Sequence, residues 1–174
     1  MANKHCNSGF TLVELIVAMA VVSTTLGIAV PSFQSMTDRY RIKGAAEALF
    51  YSFHTARTQA IKSNTAVTVA FQTGSNWSAN LSDSATCAID SATCVGGDWT
   101  SNTLNDEYRG TEISATTFAA NNTNFDPKRG TATNGAVTLT LNDYAIQVQL
   151  NVLGNPKYCA DNAATVSAFG YLAC

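Results

Sequence analysis

A chain of 174 residues has room for one modest domain and an appendage, and none for a second enzyme-sized unit. Charged residues make up 13% and the formal net charge is -2, so the totals point neither to nucleic acid nor to a polyacidic partner. These averages hide an asymmetry: apolar residues crowd the first third, whereas the stretch from Thr73 to Asn134 is rich in Ser, Thr, Asn, Asp and Gly, which favour turns.

Met1 to Gly9 is short and polar, carries Lys4 and has no apolar core of its own. An ordinary secretory signal runs from basic residues through an apolar stretch to a small-residue cleavage site. Here the apolar stretch follows Gly9, so cleavage between Gly9 and Phe10 would leave it attached to the mature protein. From Phe10 to Val30 the sequence reads FTLVELIVAMAVVSTTLGIAV, 21 residues with one charge, and about 20 apolar residues suffice for a helix to cross a bilayer core. The charge is Glu14. At mid-bilayer a carboxylate costs about 2.5–3.5 kcal/mol on insertion scales, so by default it is functional and needs a partner; its place near the cytoplasmic end lowers that cost. Arg39, Arg41 and Lys43 follow the span while only Lys4 clearly precedes it, against the usual cytoplasmic bias of positive residues. They lie several helical turns beyond the span.

Pro31 is expected to kink the helix, because it lacks an N–H and its ring meets the preceding turn; Gly27 would ease local melting. Beyond it, Ile42, Ala46, Leu49, Phe53, Ala56 and Ala60 recur at alternating intervals of four and three, the stripe of an amphipathic helix on a core. Arg39, Lys43, Glu47, Arg57 and Lys62 stand off that stripe, in water. The pattern predicts one helix to about Ser63, with a membrane or filament part over residues 10–30 and an amphipathic part over 31–63. His54, beside the stripe, reads as packed or half-exposed rather than catalytic, and Phe50 and Phe53 read as core.

Residues 64–174 read as a β-rich head. Val67, Val69 and Phe71 alternate with polar or small residues, and Trp77, Ala79 and Leu81 continue the pattern across Gly74-Ser75-Asn76, which predicts a hairpin. A second hairpin is predicted around Asn142-Asp143, between Val137, Leu139, Leu141 and Ile146, Val148, Leu150. Val166 and Ala168 suggest a last strand. The expected class is α+β, a long N-terminal helix on a mainly antiparallel sheet.

Of the five cysteines, Cys6 lies in the segment expected to be removed, leaving Cys87, Cys94, Cys159 and Cys174. An even number in a polar, exported head reads as two disulfides, with three pairings open. Cys87 with Cys94 and Cys159 with Cys174 are favoured, since each pair is close in sequence. Zinc is disfavoured by the lack of a C-x-x-C pair and of histidine near any head cysteine. Asp83, Asp90 and Asp98 surround the Cys87–Cys94 loop but match no calcium-loop spacing, so no metal or other cofactor is expected. Nor is an enzyme: the mature chain has one histidine, no phosphate loop and no nucleophile elbow.

The string Gly9-Phe10-Thr11-Leu12-Val13-Glu14-Leu15, behind a short basic leader, resembles the prepilin signature of type IV pilins and type II secretion pseudopilins. That resemblance implies a membrane aspartyl peptidase that cuts after Gly9 and methylates the new amine of Phe10. It implies that Glu14 pairs with the N-terminal amine of a neighbouring subunit, and that the helix bends or melts near Pro31 on polymerisation. A buried carboxylate and ammonium are each costly alone and offset one another as a pair. Two further segments narrow the family. Ala56-Arg57-Thr58-Gln59-Ala60-Ile61-Lys62-Ser63-Asn64 before Val67-Thr68-Val69 resembles the helix-to-strand junction of the GspH/FimT group, with Gln59 where glutamate is usual. Phe125-Asp126-Pro127-Lys128-Arg129-Gly130-Thr131-Ala132 resembles that group's F-x-P-x-G-x-A turn. The stretch from about Asn80 to Asn122 is unmatched.

Members of the group that resemble DNA-receptor minor pilins carry G-R-x-R near the C-terminus, where arginines pair with phosphates. The matching positions here are Gly170-Tyr171-Leu172-Ala173, without arginine. Lys128, Arg129 and Lys157 offer a small basic patch for a weak DNA contact, and a solvated turn is the plainer reading of so sparse a set. The resemblance therefore implies a structural minor pilin of the FimU type, anchored in the bacterial inner membrane with a periplasmic head and then carried in a surface pilus at or near its tip. Its partners would be other minor and major pilins and the prepilin peptidase. A DNA-binding minor pilin for transformation and a GspH-like pseudopilin of type II secretion are the alternatives.

Overall fold

The computed structural model describes residues 9–83 and 107–174, with the backbone alone at residues 30 and 31. Helix α1, Leu12–Ser63, starts where Thr11 Oγ1 accepts the Glu14 amide at 3.2 Å. It ends at Asn64, whose φ of 51° leaves the helical path and turns the chain into the first strand. The helical backbone runs without a break through Pro31. Backbone contacts divide the chain into two compact units, Met1–Thr37 and Asp38–Cys174.

In the first unit the large apolar side chains of α1, among them Leu15, Ile16, Val17, Met19, Val21 and Val22, are exposed. By length and composition this helix can cross a membrane. Three of its hydroxyls are satisfied internally: Ser23, Thr24 and Thr25 donate to the carbonyls of Met19, Ala20 and Val21 at 2.8, 3.1 and 2.9 Å. No side-chain donor in that triplet needs water, which is the condition lipid imposes.

In the second unit the stripe Ile42, Ala46, Leu49, Phe53, Ala56 and Ala60, joined by Ala45, is buried in one core. Two antiparallel sheets supply the rest. One has the order β2-β1-β4, from β1 Val67–Gln72, β2 Ser78–Ser82 and β4 Asn122–Phe125; the other has the order β3-β5-β6-β7, from β3 Glu112–Thr116, β5 Gly135–Leu141, β6 Tyr144–Leu150 and β7 Pro156–Ala160. Gly74 bridges to Ile113, tying the first hairpin to the second sheet. Phe53, Phe71, Phe118 and Phe125 meet at the centre, with Phe53 between 5.7 and 6.4 Å from the other three rings.

Several expectations are corrected. The segment around Val166 and Ala168 is a helix, α2 Ala163–Phe169, and the last strand is β7. Asn162 Oδ1 accepts the Thr165 amide at 2.8 Å and Gly170 closes the helix at φ 69°, so local capping decides against a strand that only two alternating residues suggested. Phe50 is half-buried and lies outside the core, whereas Phe53 is in it. Arg57 is half-buried, drawn in by a hydrogen bond to Asn155 Oδ1. His54 is exposed, its ring 5.0 Å from that of Phe50.

Candidate functional site

The first candidate site lies in the N-terminal segment. Phe10 is exposed just before α1, and Glu14 is the third helical residue after the cap Thr11. Thr11-Leu12-Val13-Glu14 is a T-x-x-E run, the sequence signal of a capping box. Here the Thr11 half of it is made, at 3.2 Å. The Glu14 carboxylate stands in the first turn, where the helix macrodipole favours an anion. It is exposed, hence open to a cation from outside the chain. In the sequence Glu14 stands out as the charge in the span, and its T-x-x-E spacing from Thr11 is legible there too.

A second cluster lies where the C-terminal segment returns to α1. Phe50 stacks on Tyr158 at 4.8 Å, Tyr158 on Tyr171 at 5.8 Å, and Tyr171 on Phe169 at 5.6 Å. Tyr144 meets Phe169 edge-on at 5.8 Å, and Arg39 closes the row, 5.6 Å above the Tyr144 ring with its Nε donating to Tyr144 Oη at 3.0 Å. Each such ring pair contributes about 0.5–1.5 kcal/mol beyond its burial. Burial, then the nearby Glu47 carboxylate, pushes the Tyr158 hydroxyl well above its ordinary range; burial, then Glu107, raises that of Tyr108. The row escaped the sequence reading because its members come from α1, β6, β7, α2 and the C-terminal tail, with no common period.

The disulfide Cys159–Cys174 holds that tail beside β7, and two backbone bonds add to it: the Ala160 amide to Leu172 O at 2.8 Å and the Cys174 amide to Ala160 O at 3.0 Å. Cys87 and Cys94, with Asp90 and Asp98, lie outside the described residues. At the positions of the G-R-x-R comparison, Gly170 caps α2, Tyr171 sits in the aromatic row, Leu172 is exposed and Ala173 bridges to Ala160. Lys128 and Arg129 share the 126–130 turn, where Asp126 Oδ1 accepts both of their amides at 2.9 and 3.0 Å. Lys157 is on β7, facing the solvent beside Gln149. Among the described residues no group of three or more His, Cys, Asp or Glu is placed to hold a metal ion.

Residues 45–154 match the family model of the type II transport protein GspH, and residues 4–30 match that of the prokaryotic N-terminal methylation motif. A comparison with curated proteins gives no match. Among solved structures, the fold is similar to the crystal structure of the type IV minor pilin FimU of Pseudomonas aeruginosa strain PAO1, with a TM-score of 0.52 over 74% of this chain and 94% of that one. Identity between the two is 14%, so the likeness concerns the fold.

Proposed function

The chain belongs to the GspH family of pilins and pseudopilins, which serve the type IV pilus or type II secretion, and from that premise we propose that it is a structural minor pilin of the type IV pilus. In this reading residues 1–9 are removed, Phe10 becomes the methylated N-terminus, and Glu14 pairs with the amine of a neighbouring subunit as the chain leaves the membrane. The observation that carries it is one continuous helix joining an apolar, lipid-compatible half, capped beside Glu14, to a β-rich head. A pilus rather than a secretion role is supported by the similarity of the fold to that of a type IV minor pilin and by the Cys159–Cys174 staple, which suits an exposed appendage. The head would be presented to other minor pilins at or near the pilus tip, priming assembly.

A second reading, a minor pseudopilin of type II secretion, is favoured by the description of the family model itself. Deleting the gene and scoring twitching motility against enzyme secretion in the same strain separates the two. Loss of twitching with secretion intact is expected; secretion lost with pili retained would overturn the pilus reading. A DNA-receptor role is not favoured, since no arginine stands at 170–173.

A further inference from the structure

The two ends of the second sheet carry complementary surfaces. In the β6–β7 register Leu150 faces Pro156 and Ile146 faces Ala160, so the 151–155 turn lies at one end and Asp161 with α2 at the other, roughly 16 Å apart at about 3.3 Å per residue.

The turn end presents a rigid apolar knob. Val152 is 58% exposed, Leu153 61%, and Ile61, beside the adjoining 126–130 turn, 50%. Large aliphatic side chains grouped in water mark a contact surface. The backbone beneath them is fixed: the Gly154 amide donates to Asn151 O at 2.9 Å, the Asn155 amide to Asn151 Oδ1 at 2.9 Å, and the Ala132 amide to Val152 O at 3.0 Å. Gly154, at φ 73°, packs so closely on the Gly130 carbonyl that a Cβ has no room. Lys128 and Arg129 are exposed on that adjoining turn, so the knob has a basic border.

The other end holds an apolar cleft of about 520 Å³ between α2, the end of β7 and the C-terminal tail, lined by Ala160, Ala163, Val166 and Ala173. Its volume lies within the roughly 300–1,000 Å³ of sites that take small apolar groups. Asp161 lines it, and Asp143 is tied to its rim by the Asn162 side chain, which donates to Asp143 O at 2.9 Å. Arg39, at this same end, is engaged with Tyr144.

We propose that the chain associates head to tail with a second copy of itself, the Ile61–Val152–Leu153 knob of one copy seated in the α2 cleft of the next, with Lys128 and Arg129 facing Asp161 and Asp143. Both halves of the fit, apolar shape and charge, are on this one chain, which is why the occupant is a second copy. The contact is heterologous, so it propagates along a row of heads unless its rotation closes a ring. It rests on the head alone and stands whether the machine is a pilus or a secretion system.

The test is sedimentation of the full chain in detergent micelles over a concentration series. The unaltered chain should self-associate, and Leu153→Asp or Val166→Asp should each weaken that association at least tenfold, with circular dichroism unchanged. An equimolar mixture of the two variants should recover dimers and nothing larger, because one intact knob then meets one intact cleft. Ser167→Arg, at the cleft lip, gives the same readout without altering the buried side of α2. A monomeric parent chain, association indifferent to these changes, or a mixture that fails to recover would each overturn the proposal; association through the membrane helices alone gives the indifferent result.

Discussion

Trp77 is fully buried, and its indole N–H is satisfied by one atom, Thr111 Oγ1 at 2.9 Å, which in turn donates to Tyr108 O at 2.6 Å. Thr111→Val keeps the shape and removes both bonds, leaving a buried donor unpaired. We expect a loss of about 1–3 kcal/mol, read as a lower thermal midpoint of the full chain in micelles, whereas Thr140→Val on β5, which removes only a bond to the solvent-facing Glu112 carboxylate, should change little. Tyr158 carries a different prediction. Its folded-state pKa is raised from 10.0, so the folded state holds this proton more tightly than the unfolded chain does. That contribution is complete below pH 10 and is lost as the unfolded chain ionises first at higher pH. Tyr158→Phe keeps the ring on Phe50 and should flatten the fall in stability above about pH 10, measured by denaturation across that range. Neither residue advertised itself in the sequence: Thr111 lies in the polar stretch, and Tyr158 was passed over for want of a pattern.

Elements differ in how far their residues betray them. The second half of α1 was legible because one helix face alone must satisfy the core, and the stripe from Ile42 to Ala60 is buried as its spacing required. The two hairpins were legible for the same reason at period two, with turn residues between their strands. β3, β4 and β7 were not, since each is only four or five residues long and polar in part, and its pairing is decided by a partner distant in the chain. The C-terminal segment shows the limit most clearly: α2 and the tail are held by a cap, the aromatic row and the Cys159–Cys174 bond rather than by periodicity. That bond closes a loop of sequence separation 15, worth about 3 kcal/mol in the chain-entropy account. Cys174→Ser should therefore lower stability by about 2–4 kcal/mol and weaken the near-ultraviolet dichroism of Tyr158 and Tyr171, as the tail frees itself from β7.

At the scale of the whole molecule, α1 is apolar and exposed in its first half and buried along one stripe in its second, and on the proposed reading two substitutions at its start should separate processing from assembly. Gly9→Val is expected to leave the precursor uncleaved, seen as a heavier band in the membrane fraction. Glu14→Ala should be cleaved normally yet be absent from sheared surface filaments; if it assembles as the parent does, the amine-pairing role fails. Thr11→Ala tests the cap alone, at about 0.5–2 kcal/mol of helix stability, and should leave cleavage intact. The sequence by itself determined what depends on order along the chain: the place of the apolar run after Gly9, the lone Glu14, the helix stripe and the two hairpins. Those are local periodicities and spacings, fixed before any distant contact forms. Only the tertiary structure decided the aromatic row on α1, the pairing of β3, β4 and β7, the Arg57 contact and the knob and cleft at opposite ends of the sheet. Each joins side chains far apart in sequence, and the free energy that selects them exists only once the core has brought them together.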